Sequence, residues 1–258
     1  MQKVKTDDKS LFSLILLFVF LTSFLISGCS YLFPKKGDPN IFDLFSTGQD
    51  KLALKKYKDA QEAFQQVLDE TSDNELRIYA LINLGDSFLN NEEFEEAKFQ
   101  YQKFLELYPA HELAVRAQYQ LGMCDFLRMK VSSRDQGFTK EAVSSFEKVI
   151  ANYPSSPYTK DAQIKMAFAL GKLAEHDFMV GKFYHKQKKY HAAIFRLNNL
   201  LKRYPEVDFA DEVLSYLGDS YYQEQSFENA KTVYKKLLSH HPKSKFAKTA
   251  KARLKIIK

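Results

Sequence analysis

Residues 181–205 read GKFYHKQKKYHAAIFRLNNLLKRYP, and their spacing sets the fold. Gly181 lies among strong helix formers. Ala193 follows twelve residues on, and Leu197 four beyond that, one helical turn further along the same face. Tyr204-Pro205 then closes the stretch, because proline cannot continue a helix and restricts the residue before it. A glycine on the first helix admits a close crossing, and the alanine on the second is its small partner. The large apolar side chain one turn later fills the space beside them. The stretch is therefore a helix, a tight turn, a second helix and a stop.

The same order recurs on both sides. Gly48, Gly85 and Gly218 are followed at the same distances by Ala60 and Phe64, by Ala97 and Tyr101, and by Ala230 and Tyr234. After Gly122, Ala142 and Phe146 keep the mutual spacing. Tyr108-Pro109, Tyr153-Pro154 and His241-Pro242 close their units as Tyr204-Pro205 does. This pattern resembles the tetratricopeptide repeat, a pair of antiparallel helices in about 34 residues. The expected fold is an all-α solenoid of five such pairs, at about 41–74, 78–111, 115–154, 174–207 and 211–244. The first unit has Ser72 where proline is expected. With 9 Gly and 7 Pro in 258 residues, and 45% hydrophobic residues, the composition suits a helical protein with a substantial core.

Departures from the period carry information. The glycines stand 37 residues apart, except that Gly122 and Gly181 are separated by 59. Eight extra residues enter the turn of the third unit, around Met129 to Thr139, and fourteen precede Gly181. The latter are not a loop. Ser156-Pro157 reads as a cap and first position, and Ala162, Met166, Ala169 and Leu173 follow at helical spacing. One helix is predicted from about Thr159 to Lys186, roughly 40 Å long. It joins a front half (41–154, repeats one to three) to a rear half (155–244, the long helix and repeats four and five). Residues 245–258 continue as a basic helix with no following partner, the cap that a solenoid needs. Residues 243–258 hold seven basic and no acidic side chains, which suits a solvated helix face or contact with anionic lipid.

The N-terminus reads separately. Lys3, Lys5 and Lys9 precede an apolar run over residues 11–26, then Ser27-Gly28-Cys29. This is the pattern of a signal peptide with a small-residue cleavage site, spanning residues 1–28. Ile26-Ser27-Gly28-Cys29 resembles the bacterial lipobox, which implies cleavage before Cys29 and acylation of that cysteine. Ser30, not Asp, follows, which implies the outer membrane as destination. Pro34, Gly37 and Pro39 make residues 29–40 a tether reaching on the order of 40 Å from the periplasmic face. Cys124 then has no partner, and its apolar helical setting reads as a buried, inert thiol. The net charge of +6 is mild and gives no reason to expect nucleic acid.

The combination of a lipobox, five such repeats, Arg134-Asp135 in an extended turn and a long helix leading to residues 181–184, 193–196 and 203–205 is similar to the BamD family of outer membrane assembly lipoproteins. The likeness is best over residues 133–205. It implies a scaffold whose rear repeats bind the POTRA domains of BamA and whose front repeats receive unfolded β-barrel precursors, beside other assembly-machinery lipoproteins. It also implies that Arg196 meets a carboxylate on the last POTRA domain of BamA, for which a guanidinium fork is suited. Arg134 and Asp135 either pair with each other and fix the inserted turn or face that partner. For precursors, the first helices of units one to three offer Phe42, Phe45, Leu52, Tyr79, Ile82, Tyr119, Met123 and Phe126. An aromatic groove suits an extended apolar chain, while apolar stripes on helices also serve simply as core.

Catalysis is not expected. His111, His176, His185, His191, His240 and His241 have no zinc-site spacing, and neither a nucleophile elbow nor a phosphate-cradling loop occurs. No cofactor is implied. The rival readings are another lipid-anchored repeat scaffold, such as a pilotin or a cell-wall-enzyme adaptor, and a soluble repeat protein of the cell-division coordinator type. The irregular spacing between Gly122 and Gly181 counts against the first, and the lipobox against the second.

Overall fold

A computed structural model of the chain describes residues 40–257. These form eleven helices and no strand: α1 (Ile41–Ala53), α2 (Tyr57–Glu70), α3 (Asn74–Asn90), α4 (Phe94–Leu107), α5 (Ala114–Leu127), α6 (Gly137–Asn152), α7 (Thr159–Lys186), α8 (Tyr190–Arg203), α9 (Ala210–Gln223), α10 (Phe227–His240) and α11 (Ala247–Ile256). Each helix packs on the next, and α1 on α3, α5 on α7 and α7 on α9 also touch. That is a tetratricopeptide-type solenoid. The signal peptide, Cys29 and the tether up to residue 39 lie outside the described residues.

The crossing within each pair is tighter than the sequence reading supposed. The repeat glycine is met by the large side chain itself, not by the alanine one turn earlier. A Cβ at Gly48 would stand 2.7 Å from the Phe64 ring, at Gly85 2.7 Å from Tyr101 and at Gly122 2.8 Å from Phe146. At Gly181 and Gly218 it would stand 2.6 Å from Leu197 and from Tyr234. Glycine is thus the floor on which the ring or leucine lies.

Four of the five turns within pairs share one geometry. Lys55, Glu92, Lys188 and Gln225 adopt φ between 58° and 61°. The next residue's N–H bonds back across the helix end, Lys56 to the Lys51 carbonyl at 2.8 Å and Glu93 to Phe88, Lys189 to Tyr184 and Ser226 to Tyr221 at 2.9 Å. This is the Schellman closure, which satisfies otherwise orphaned carbonyls. Where Ser72 replaces proline, other groups end the helix. Asp73 caps α3 by accepting from the Leu76 N–H at 2.9 Å, and Arg77 Nη1 donates to the Leu68 carbonyl of α2 at 2.9 Å.

Ion pairs tie successive pairs together. Lys98 on α4 reaches buried Asp125 on α5 at 2.8 Å, and Arg116 on α5 pairs with buried Asp86 on α3. Lys182 on α7 reaches Glu212 on α9 at 2.8 Å. The long helix bridges two cores. Ala162 joins Phe146 and Val149 of the third unit, and Leu173, Ala174 and Phe178 join Leu197 and Leu200 of the fourth. At the end, α11 lays Ala247 and Ala250 over Tyr234 and Leu237. Its Arg253 stacks over Tyr222 and bonds Asp219 at 3.1 Å, while Lys248, Lys251 and Lys255 face solvent.

Candidate partner-binding surfaces

The inserted turn between α5 and α6 is held by its own polar groups. Buried Gln136 donates from Nε2 to the carbonyls of Val131 at 3.1 Å and Arg134 at 3.0 Å, and its Oε1 accepts from Thr139 Oγ1 at 2.9 Å. The turn is then pinned to α7. Ser132 Oγ donates to Glu175 Oε2 at 2.6 Å, and His176 Nδ1 donates to the Ser132 carbonyl at 2.7 Å. The Ser132 hydroxyl, with Lys172, holds the Glu175 carboxyl below the usual range.

Arg134 and Asp135 stand exposed and, of the two alternatives, do not pair with each other; Gln136 fixes the turn instead. Instead they line a cleft of about 400 Å³ together with Lys140, His176, Asp177, Arg196, Arg203 and Tyr204. Arg203 pairs with Asp177 at 3.3 Å. Arg196 is exposed and has no ion-pair partner among the described residues. The cleft therefore gathers four cationic side chains against two carboxylates, an arrangement that suits an acidic surface.

The front aromatic set does not form one groove. Ile82 has 0% exposure and belongs to the core. Its helix α3 packs against α1, α2 and α4, so an inward position there is covered. Phe45 stands edge-on to Phe64 at 5.7 Å, Leu52 packs on the same core, and Tyr79 stands edge-on to His111 at 6.5 Å. Tyr119 lies between Phe146 and Tyr158 and donates to Asp161; burial and that carboxylate push its hydroxyl's pKa up. Met123 packs on the third unit, and Phe42 is exposed. Phe126 opens onto a cavity of about 610 Å³ shared with Leu127, Val131, Phe168 and Met179.

That cavity adds residues that the sequence reading left out. Phe168 and Met179 lie on a different face of α7 from Ala162, Ala169 and Leu173, which form the buried stripe marked by helical spacing. Cys124 is buried and unpaired, and burial pushes its thiol up to about 12. Among the described residues, no group of His, Cys, Asp or Glu could hold a metal ion.

Stacked helix pairs with clefts between them, and one long helix joining two halves, define a tetratricopeptide-type scaffold. Residues 38–236 match the YfiO family, described as outer membrane lipoprotein. The chain belongs to that family, the family of outer membrane protein assembly factor BamD. It is 29% identical over 227 residues to that factor from Rickettsia prowazekii, covering 86% of this chain and 89% of the relative. It is 25% identical over 214 residues to that from Pasteurella multocida, covering 79% and 82%. Among solved structures, the chain is similar to the TPR2AB domain of yeast Sti1 in complex with pHSP90. That likeness has a TM-score of 0.45 and 16% identity, over 84% of this chain and 83% of the other. The relatives carry the names of assembly factors, which associates the chain with the outer membrane and with protein assembly there.

Proposed function

We propose that the chain is a lipid-anchored scaffold of the β-barrel assembly machinery, tethered through Cys29 to the periplasmic face of the outer membrane. Its rear cleft binds a POTRA domain of BamA, with Arg196 reaching a carboxylate and Arg134 and Asp135 beside it. Its front repeats, with Phe42, Phe45, Leu52, Tyr79, Tyr119 and Phe126 at or near the surface, take unfolded barrel precursors and stand near other lipoproteins of the machinery. The reading rests on the family membership and, above all, on one observation: Arg134, Asp135 and Arg196 share a single cationic cleft although they are about sixty residues apart in sequence. An exposed guanidinium without an internal partner gives up no ion pair on binding.

Arg196→Glu tests it. The exposed side chain touches no core, so helical content should stay unchanged by circular dichroism. Capture of BamA from detergent-solubilised envelopes should fall by about tenfold or more, as for loss of one member of an interfacial charge pair. Undiminished co-purification of BamA would sink the assignment of the cleft.

A further inference from the structure

Charge is spread unevenly along the solenoid. Residues 40–107 hold 7 Lys and Arg against 14 Asp and Glu, whereas residues 108–257 hold 25 against 15. The extreme is α11 with the turn before it. Lys243, Lys245, Lys248, Lys251, Arg253 and Lys255 stand there without one acidic residue between them.

The helix sorts these cations. At about 100° per residue, Ala247, Ala250, Leu254 and Ile257 share one face and pack on the last core. Arg253 lies at the margin of that face, stacks over Tyr222 and is taken up by Asp219. Lys248, Lys251 and Lys255 fall on the other side, within an arc of about 60° and along about 10 Å of helix. All three are exposed, and none has an ion-pair partner among the described residues. Ala252 and Ile256 continue that face, and Ile256 is 62% exposed. Lys243 and Lys245 stand exposed in the preceding turn. Capping the solenoid requires only the buried face, so the lysine stripe is left without a structural task.

We propose that this stripe rests on an anionic phospholipid surface, so that the solenoid lies along the membrane from tether to cap. Nearness to a bilayer is taken from the tethered scaffold of the preceding section. The residue type favours a lipid surface over an acidic protein. Lysine is a flexible, strongly hydrated point charge that suits the diffuse charge of many headgroups, and it is depleted from protein interfaces. The defined cleft of this molecule relies instead on Arg134, Arg196 and Arg203 beside Lys140. Ile256 adds an apolar side chain at the end of the stripe for the headgroup boundary. The charge gradient acts in the same sense, since a negative surface attracts the rear of the body and repels its front. Each lysine held near such a surface favours the contact about fivefold.

The test uses the full-length, membrane-matured chain reconstituted in vesicles of phosphatidylcholine, alone or with about one-quarter phosphatidylglycerol. Ala252→Cys carries an environment-sensitive fluorophore. Cys124 is buried and escapes labelling, as does an acylated Cys29. Flotation with the neutral vesicles reports the acyl anchor by itself, so failure of the anchor and failure of the stripe are read separately. The label should shift to the blue in the anionic vesicles only, and the shift should vanish in high salt. Lys248→Glu, Lys251→Glu and Lys255→Glu together should lower the equilibrium constant for that transfer roughly a hundredfold or more, with the helical spectrum unchanged. The same label at Gln65→Cys, on the exposed side of α2, should respond to neither composition. No shift in anionic vesicles, an equal shift in both kinds, a shift that survives the triple variant, or one that appears only when BamA is added would each overturn the proposal.

Discussion

Tyr101 and Tyr234 hold the same place in their repeats, yet their hydroxyls meet different surroundings. Tyr101 donates to Asp86 at 2.7 Å. Burial raises the pKa of that aspartate, and Arg116 and the tyrosine partly offset the effect. Tyr234 has a buried hydroxyl with no hydrogen-bond partner, and the corresponding Asp219 instead meets Arg253 at 3.1 Å and His185 at 3.4 Å. Tyr101→Phe should therefore cost about 1–2 kcal/mol in urea unfolding, while Tyr234→Phe should be neutral or slightly stabilising. His185 provides a pH prediction. Burial lowers its pKa below 6.5, and Asp219 opposes this only in part. The unfolded chain then takes up that proton first, so the stability contributed by neutral His185 is lost as pH falls below 6.5 towards the folded value. A fall in melting temperature between pH 7.5 and 5.5 should be shallower in His185→Gln. None of these differences is written in the residue types, since both tyrosines occupy one motif position.

At the scale of elements, the glycines separate two meanings of one residue. Gly85→Ala would push a methyl group onto the Tyr101 ring at 2.7 Å, an overpacking expected to cost about 1–3 kcal/mol. Gly171→Ala meets open space and should stabilise α7 by up to about 1 kcal/mol through helix propensity. Thermal unfolding of the two variants at submicromolar concentration checks both signs. The bounds of α7 were legible from helical spacing and from the lack of an interrupting proline, but Ser156-Pro157 are not its cap and first position: the helix starts at Thr159 behind Tyr158, and Ser156 Oγ accepts from the Tyr158 N–H in the turn before it. The left-handed turns at Lys55, Glu92, Lys188 and Gln225 were not legible, since none carries the glycine or asparagine that marks that conformation. Helix–helix packing over-determines them.

On the scale of the whole molecule, none of the described helices is long and apolar enough to cross a membrane. In the proposed function, attachment is by acyl chains on Cys29, which bind at about 0.8 kcal/mol per buried methylene. Cys29→Ala should move the protein from the membrane pellet to the soluble fraction with its helical spectrum unchanged; persistent pelleting would refute the anchor. The described residues carry two separate surfaces. The cationic cleft lies at the junction of the inserted turn, α7 and α8, and the apolar edge follows α7. Arg134 and Arg196 were legible as candidates, but their shared cleft depends on where the turn is pinned, through Ser132 and His176, to α7.

The order of glycine, alanine and large apolar residue determined the number of helix pairs and the break in period, and the prolines at 109, 154, 205 and 242 their stops. Each of these follows from local sterics and helical periodicity, which act within a few turns of chain. Whether a stripe faces the core or solvent is settled by what stacks against it. Ile82 vanished into the core because three helices close around α3, and Phe168 and Met179 stayed open because the next pair leaves that side of α7 free. Burial is a property of neighbours distant in sequence, so only the folded arrangement could assign it.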